Sequence, residues 1–278
     1  SNGYNFSPNL VVCANTFKSE RDKTVKALTV KGGTYLATNK ITVDNGVTLA
    51  GGTMEIPGSK DFQINNSYPL TVTGNATLKV TEGTGTATLK FSKILFESRK
   101  TLTVDGNITR TGEMIIDGGD IEMVGGEFVF NGTARFPKGS VITGTGNVTF
   151  KQYVEGTKLT TYPDVTLVNA TNNMSIDTIE VKGGVFSYER NKPIRNLVVD
   201  GGTFNLNTPA EVTSLNLNGI AVLKSGTLEI ASGKTLKLNN SSCDTLKVTG
   251  NSAISGTGYL DGVVAVYETG NLTIADDI

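Results

Sequence analysis

Between residues 179 and 224 one short pattern of apolar residues and glycines occurs three times. It reads Ile179, Val181, Gly183, Gly184, Phe186, Tyr188; then Leu197, Val199, Gly201, Gly202, Phe204, Leu206; then Leu215, Leu217, Gly219, Ile220, Val222, Lys224. Successive copies start 18 residues apart. Within a copy the apolar residues fall two apart, which is strand spacing. Polar residues such as Glu180, Lys182, Asp200, Asn216 and Asn218 lie between them. The glycine pair marks a bend, where a Cβ would be crowded. A strand, a bend and a strand in every turn make a β-solenoid, in which each turn buries its apolar side only against its neighbours. The common register predicts interior columns Val181–Val199–Leu217 and Phe186–Phe204–Val222.

The pattern recurs outside this stretch. Leu28, Val30, Gly32, Gly33 and Tyr35 fit it, as do Ile121, Met123, Gly125, Gly126, Phe128 and Phe130. A second version ends in Gly-Asn: Leu70, Val72, Gly74, Asn75; Leu102, Val104, Gly106, Asn107; Leu246, Val248, Gly250, Asn251. Asn tolerates positive φ better than most residues, so it is expected to make the same bend. Several gaps between boxes are near multiples of 18 to 21 residues. The 32 residues from Leu70 to Leu102 and the 31 from Leu215 to Leu246 are not, and predict a long coil or an inserted loop. A left-handed β-helix needs an aliphatic residue every sixth position. From Ile179 that series runs Val185, Asn191, Leu197, Thr203, Pro209, Leu215, and half of it fails. Parallel coils in one sheet connect right-handedly. The expectation is an all-β, right-handed parallel β-helix of roughly 12 coils of about 18–21 residues, with a few longer ones.

Residues 27–278 read as a single β-helix. Residues 1–26 do not repeat. They hold Pro8, the apolar run from Leu10 to Cys13 and a charged stretch. They are a candidate N-terminal cap for the open edge of the first coil, with an irregular first coil as the alternative. Residues 151–173 depart furthest from the pattern and are expected to hold a loop that leaves the stack.

A net charge of −1 and a pI near 5.7 leave no basic excess for a phosphate backbone, which argues against nucleic-acid binding. No run of about 18 apolar residues is present, so no membrane span is expected in this stretch. His and Trp are absent, which removes His-based catalysis, His metal ligands and the residue most used for stacking on sugars. Cys13 and Cys243 would lie roughly 11 coils apart. At about 4.8 Å per coil that is far beyond the ~7 Å reach of a disulfide. Both are therefore expected to be small buried apolar residues.

The stretches LVVDGGTF (197–204) and SGTLEIASGKTLKL (225–238) resemble right-handed β-helix modules of secreted bacterial surface proteins, of the adhesin and autotransporter-passenger type. The segment GTGNVTFKQY (144–153) is similar to stretches in secreted proteins with such repeats. The resemblance implies an extracellular or cell-surface setting, a structural or adhesive role without a specific activity, and surface glycans or host cell-surface proteins as partners. Polysaccharide-degrading enzymes share the fold, so a carbohydrate-binding or depolymerising β-helix is the alternative. The Gly-His-Gly motif of polygalacturonases cannot occur without His, and the Arg-Pro motif of pectate lyases is missing.

Three groups of residues carry chemistry worth testing. Asp117, Asp120 and Glu122 form the densest carboxylate group and are a candidate Ca²⁺ site. The alternative is a solvated Asp-Gly-Gly-Asp turn with Glu122 outward. Glu189, Arg190, Lys192 and Arg195 flank Pro193 and could supply a base against an acidic sugar. The alternative is an exposed charged loop joining two coils. Tyr153 and Tyr162 are a candidate sugar-binding pair on the irregular stretch, or they pack over the side of the solenoid. Phe128, Phe130, Phe186 and Phe204 fall at inward positions. The frequent Asn-x-Ser/Thr triplets, as at Asn75 and Asn271, belong to turn chemistry. No catalytic residue is assigned and no cofactor is called for.

Overall fold

The computed structural model describes residues 9–20, 23–58, 61–64, 68–81, 85–97, 99–168, 174–238 and 245–275. These residues form an all-β parallel solenoid of about 12 turns. Each turn supplies up to three strand stretches, so three faces surround an apolar interior. The opening turn shows the plan: Asn9–Val12, Thr16–Ser19 and Lys23–Val25 lie on faces one, two and three. Each pairs in parallel with its counterpart one turn later. Contacts divide the chain into two compact units, one within residues 1–140 and 144–146, the other within 141–143 and 147–278.

In the first unit face one stacks Leu10, Leu28, Val47, Leu70, Ile94, Met114 and Ala134 in one column. Face two stacks Tyr35, Met54, Leu78, Val104 and Met123. The alternation predicted from sequence explains why. Along Ala76–Thr81 burial alternates strictly, with Ala76, Leu78 and Val80 inward. Each such side chain gains about 1.5–3 kcal/mol from burial. Outward positions carry hydroxyls, so Thr16, Thr34, Thr53, Thr77 and Thr103 form one column on face two.

In the second unit face two stacks Leu159, Ile179, Leu197, Ala221, Leu246 and Val264. Face three stacks Val165, Phe186, Phe204, Leu228, Ile254 and Ile274. The rings of Phe186 and Phe204 stack with centroids 5.7 Å apart. Phe128, Phe130, Phe186 and Phe204 are all buried, as their inward positions require.

The third copy of the sequence pattern does not continue the columns of the first two. Val199 is followed by Leu223, not Leu217, and Phe204 by Leu228, not Val222. Leu217 instead lies on face one, bridged to Ile194 and paired with Leu238. The cause is a lengthened corner at residues 207–213. There Val212 N–H donates to Pro209 O at 2.9 Å. The Thr208 hydroxyl donates to Val212 O at 2.6 Å. Lys234 Nζ, from the next turn, donates to Pro209 O at 2.6 Å and to Val212 O at 3.2 Å. Pro209 has no N–H to lose from a ladder and suits such a corner. The off-period gaps have a related origin. Leu70 and Leu215 lie on face one, whereas Leu102 and Leu246 lie on face two. The gaps of 32 and 31 therefore join boxes on different faces and do not measure a coil.

Cys13 is exposed, against the expectation of burial. It follows Val12, the last inward residue of its strand, and so falls on a corner. Cys243 lies outside the described residues. Of residues 151–173, Val154–Thr161 and Asp164–Leu167 are strands paired in register with the following turn; 169–173 lie outside the described residues. Among the described residues no helix is long and apolar enough to cross a membrane.

Candidate functional site

The corners are where this fold places side chains with spare chemistry. Their construction differs from the sequence expectation. Among the described residues the only non-glycine positions with positive φ are Asn15 and Arg99. The Gly-Asn boxes therefore do not use Asn for a left-handed bend. The asparagine opens the next strand, and its amide oxygen accepts the N–H of its rung partner one turn on. Asn75 Oδ1 accepts from Thr101 N–H at 3.0 Å and Asn107 Oδ1 from Glu127 N–H at 2.9 Å. Asn196 does the same for Ile220 N–H at 2.9 Å, and Asp164 for Val185 N–H at 2.8 Å. Each side chain satisfies a donor that the bend removes from the ladder. This clasp was hidden because Asn reads as turn chemistry in any case.

The candidate calcium residues point to separate neighbours. Asp117 is paired with Lys138 at 2.9 Å, one turn later. Glu122 accepts the Thr103 hydroxyl at 2.9 Å, one turn earlier. Asp120 opens the strand Asp120–Gly125 and pairs with Thr101 across the ladder. Among the described residues no three carboxylate or thiol side chains are grouped to hold a metal ion. Tyr153 and Tyr162 flank the strand Val154–Thr161, one before its first residue and one after its last. The fold does not bring them side by side. Tyr162 is exposed and Tyr153 half-buried.

Arg190 corrects the expectation of an exposed charged loop. It is 1% exposed. Its Nη2 donates to Phe150 O at 3.2 Å and to Gln152 O at 2.5 Å. Nε and Nη1 meet no acceptor among the described residues. Burial holds this guanidinium below its usual pKa, against the opposing pull of Tyr188. Tyr188, itself buried and raised by that burial, donates its hydroxyl to Lys192 O at 2.5 Å. A base enclosed in this way cannot reach a polymer outside the solenoid. Arg195 is exposed and paired with Asp177.

Arg110 is a second enclosed arginine, unmarked in the sequence. It stands in an interior column between Leu89 and Phe130. Its guanidinium donates to the carbonyl oxygens of Thr111 and Glu113 at the adjoining corner. Burial pushes its pKa down to about 10, partly offset by the charge of Glu113. Both arginines give part of their donors to corner carbonyls that turn inward, which offsets part of the cost of a buried cation. They are structural pins for the turns that hold them.

Face two of the second unit carries a ladder of charges. Glu180 accepts from Thr160 Oγ1 at 2.9 Å, and pairs with Lys158 at 2.7 Å and Lys182 at 3.8 Å. Asp200 pairs with Lys182 and Lys224, each at 3.8 Å. Burial acts to raise the Glu180 pKa. Hydrogen bonds from Lys158 and Thr160, with the charges of Lys158 and Lys182, outweigh it and hold the carboxyl below its usual value. Signs alternate along this ladder and every member is paired, so it ties turns together and presents no field of one sign.

One depression on the second unit offers open hydrogen-bonding groups. It has a volume of about 300 Å³ and lies where the last turns pass from face two to face three. Of its lining residues, Thr227, Asn251, Ala253, Asn271 and Thr273 face outward, and Gly226 and Ser252 hold inward positions. None of its lining residues is titratable, so it can bind but cannot run acid–base chemistry. It is not legible from residue types alone, since Gly, Ser, Asn and Thr also make ordinary corners.

Compared with known protein families, curated proteins and solved structures, the chain matches none of them.

Proposed function

We propose that this chain is a structural or adhesive module of a secreted or cell-surface bacterial protein. What supports the reading is where the distinctive residues are spent. Interior columns such as Leu159–Ile179–Leu197–Ala221 hold the turns. Paired charges and clasping amides tie one turn to the next. The buried arginines, Arg110 and Arg190, are enclosed as pins. Such a molecule works by being a stable surface of repeated strands, on which corners and outward columns display contacts. The partners that suit it are surface glycans or host cell-surface proteins, in an extracellular or cell-surface setting.

The test is adhesion without turnover. Beads coated with the intact chain should attach to glycan-bearing cell surfaces more than beads coated with an unrelated β-protein. Incubation with neutral and uronic-acid polysaccharides should leave their chain length unchanged. Attachment no better than the control would remove the adhesive reading. Shortened polymers would replace it with the depolymerising alternative. The carbohydrate-binding alternative has one observation in its favour, the depression at Asn251 and Asn271.

A further inference from the structure

The Gly-Asn box at Gly250-Asn251 breaks the clasp rule that its two sequence counterparts obey. Asn75 and Asn107 each accept the N–H of their rung partner. The rung partner of Asn251 is Asn271. Its N–H goes instead to Gly250 O, at 3.2 Å. Among the described residues no hydrogen bond engages the Asn251 side-chain amide, so its acceptor and both donors face outward unpaired. Asn271 sits beside it on the next turn, and both are exposed.

Beneath them the wall is open for a second reason. The rung below Ser252 is Gly226, which has no side chain. A Cβ there would stand 2.3 Å from Gly202 O, and its φ of +111° also favours glycine. The inward column thus thins to Gly226 and Ser252 where other columns carry Leu or Val. Ser252 is only 7% exposed, and its hydroxyl has no hydrogen-bond partner among the described residues. A buried hydroxyl left unpaired costs about 1–3 kcal/mol. It faces the interior, on the opposite side of the strand from the Asn251 amide, and thins the core beneath the groove. Thr227 and Thr273 add hydroxyls along the flank.

We propose that this groove binds a neutral sugar ring, a hexose unit of a glycan. Two adjacent amides present the alternating donors and acceptors that match neighbouring hydroxyls on a pyranose. Thr227 and Thr273, outward on the same strands, supply further hydroxyl contacts. No lining residue carries charge, so nothing selects a uronic acid or a sulfated sugar. The 300 Å³ volume is at the lower end for small-molecule sites and suits one ring, not a long chain. The site gives the adhesive module a ligand class and depends on that reading only for its biological setting.

The experiment is an NMR titration of the intact ¹⁵N-labelled chain with methyl glycosides of glucose, galactose and mannose, and with galacturonate as the charged control. At least one neutral glycoside should shift the amides of residues 226–227, 251–253 and 271–273, saturating in the millimolar range, on the order of 1–10 mM. Asn251→Ala/Asn271→Ala should weaken it at least about tenfold, with the spectrum otherwise unchanged. Thr273→Arg, introduced at an exposed position, should block the groove without entering the interior. Silence at these amides up to about 50 mM of every neutral glycoside overturns the site. So does binding that shifts other residues, or that survives both variants. Galacturonate binding at the groove as tightly as any neutral sugar overturns the ligand class. Bead adhesion that persists in the double variant would leave the adhesive module standing while the groove fails.

Discussion

The step from Ile179 to Leu197 takes 18 residues and the step from Leu197 to Ala221 takes 24, yet both land an apolar side chain on one interior column. Both steps share a glycine corner between faces two and three, Gly183-Gly184 in the first and Gly201-Gly202 in the second. A Cβ on Gly202 would stand 2.6 Å from Gly183 O, so these bends fit only without side chains. In the second step, residues 207–213 loop out and are fastened by Thr208 and Lys234. The interior column is indifferent to how the corner is made. It requires only that the strands return in phase. The period is thus set by the corner from face three to face one, residues 189–193 in the first step and 207–213 in the second, and register is a property of the apolar strands.

The difference can be attacked from the interior outward. Val199→Asp buries a carboxyl in a column shared by both steps, and should cost on the order of 4 kcal/mol or more. A thermal melt should show loss of the cooperative transition or a large fall in Tm. An unchanged melt would mean that Val199 does not face the interior. Gly202→Ala strikes the glycine corner that both steps share. With backbone oxygen in the way, about 2–4 kcal/mol of destabilisation is expected by urea unfolding. A cost below about 0.5 kcal/mol would show that the corners are less tightly stacked than described.

Asn196→Ala releases the clasp on Ile220 N–H across the lengthened step, and also the bond from Asn196 Nδ2 to Asp177 O at 2.7 Å. About 1 kcal/mol is expected, with faster hydrogen exchange at the Ile220 amide. Exchange at that amide as slow as in the parent would remove the clasp. Glu180 tests the outer charge ladder by pH. Its folded-state pKa is lowered, so its contribution is present above the unfolded carboxylate value and is lost as pH falls through the folded one. Glu180→Gln should therefore be less stable than the parent at neutral pH. The two should converge in acid, and a gap that stays constant with pH would contradict the pairing.

How much of this the sequence disclosed depends on the same contrast. Up to residue 206, where the corner from face three to face one is short, period two within strands and 18 between them placed Ile179 on Leu197, Val181 on Val199 and Phe186 on Phe204. Past residue 206 the pattern persists locally while its phase changes, because Leu215 and Leu217 serve a different face. Pattern alone does not label the face. Arg110 and Arg190 were unreadable as interior residues, since an arginine is buried only when carbonyls converge on it, and that convergence exists only in the folded corner. The groove was equally silent. It arises because one Asn of a familiar Gly-Asn box is left unclasped and one inward position is glycine.

The register across the lengthened step is the claim on which the rest depends, and two alanine substitutions measure it directly. Leu228 lies fully buried on Phe204, whereas Val222 faces outward on the rung of Val198. Urea unfolding should give a loss of about 2–5 kcal/mol for Leu228→Ala and below about 1 kcal/mol for Val222→Ala. Equal costs, or a larger cost at Val222, would place Val222 on Phe204 and return the 18-residue step that the structure replaces.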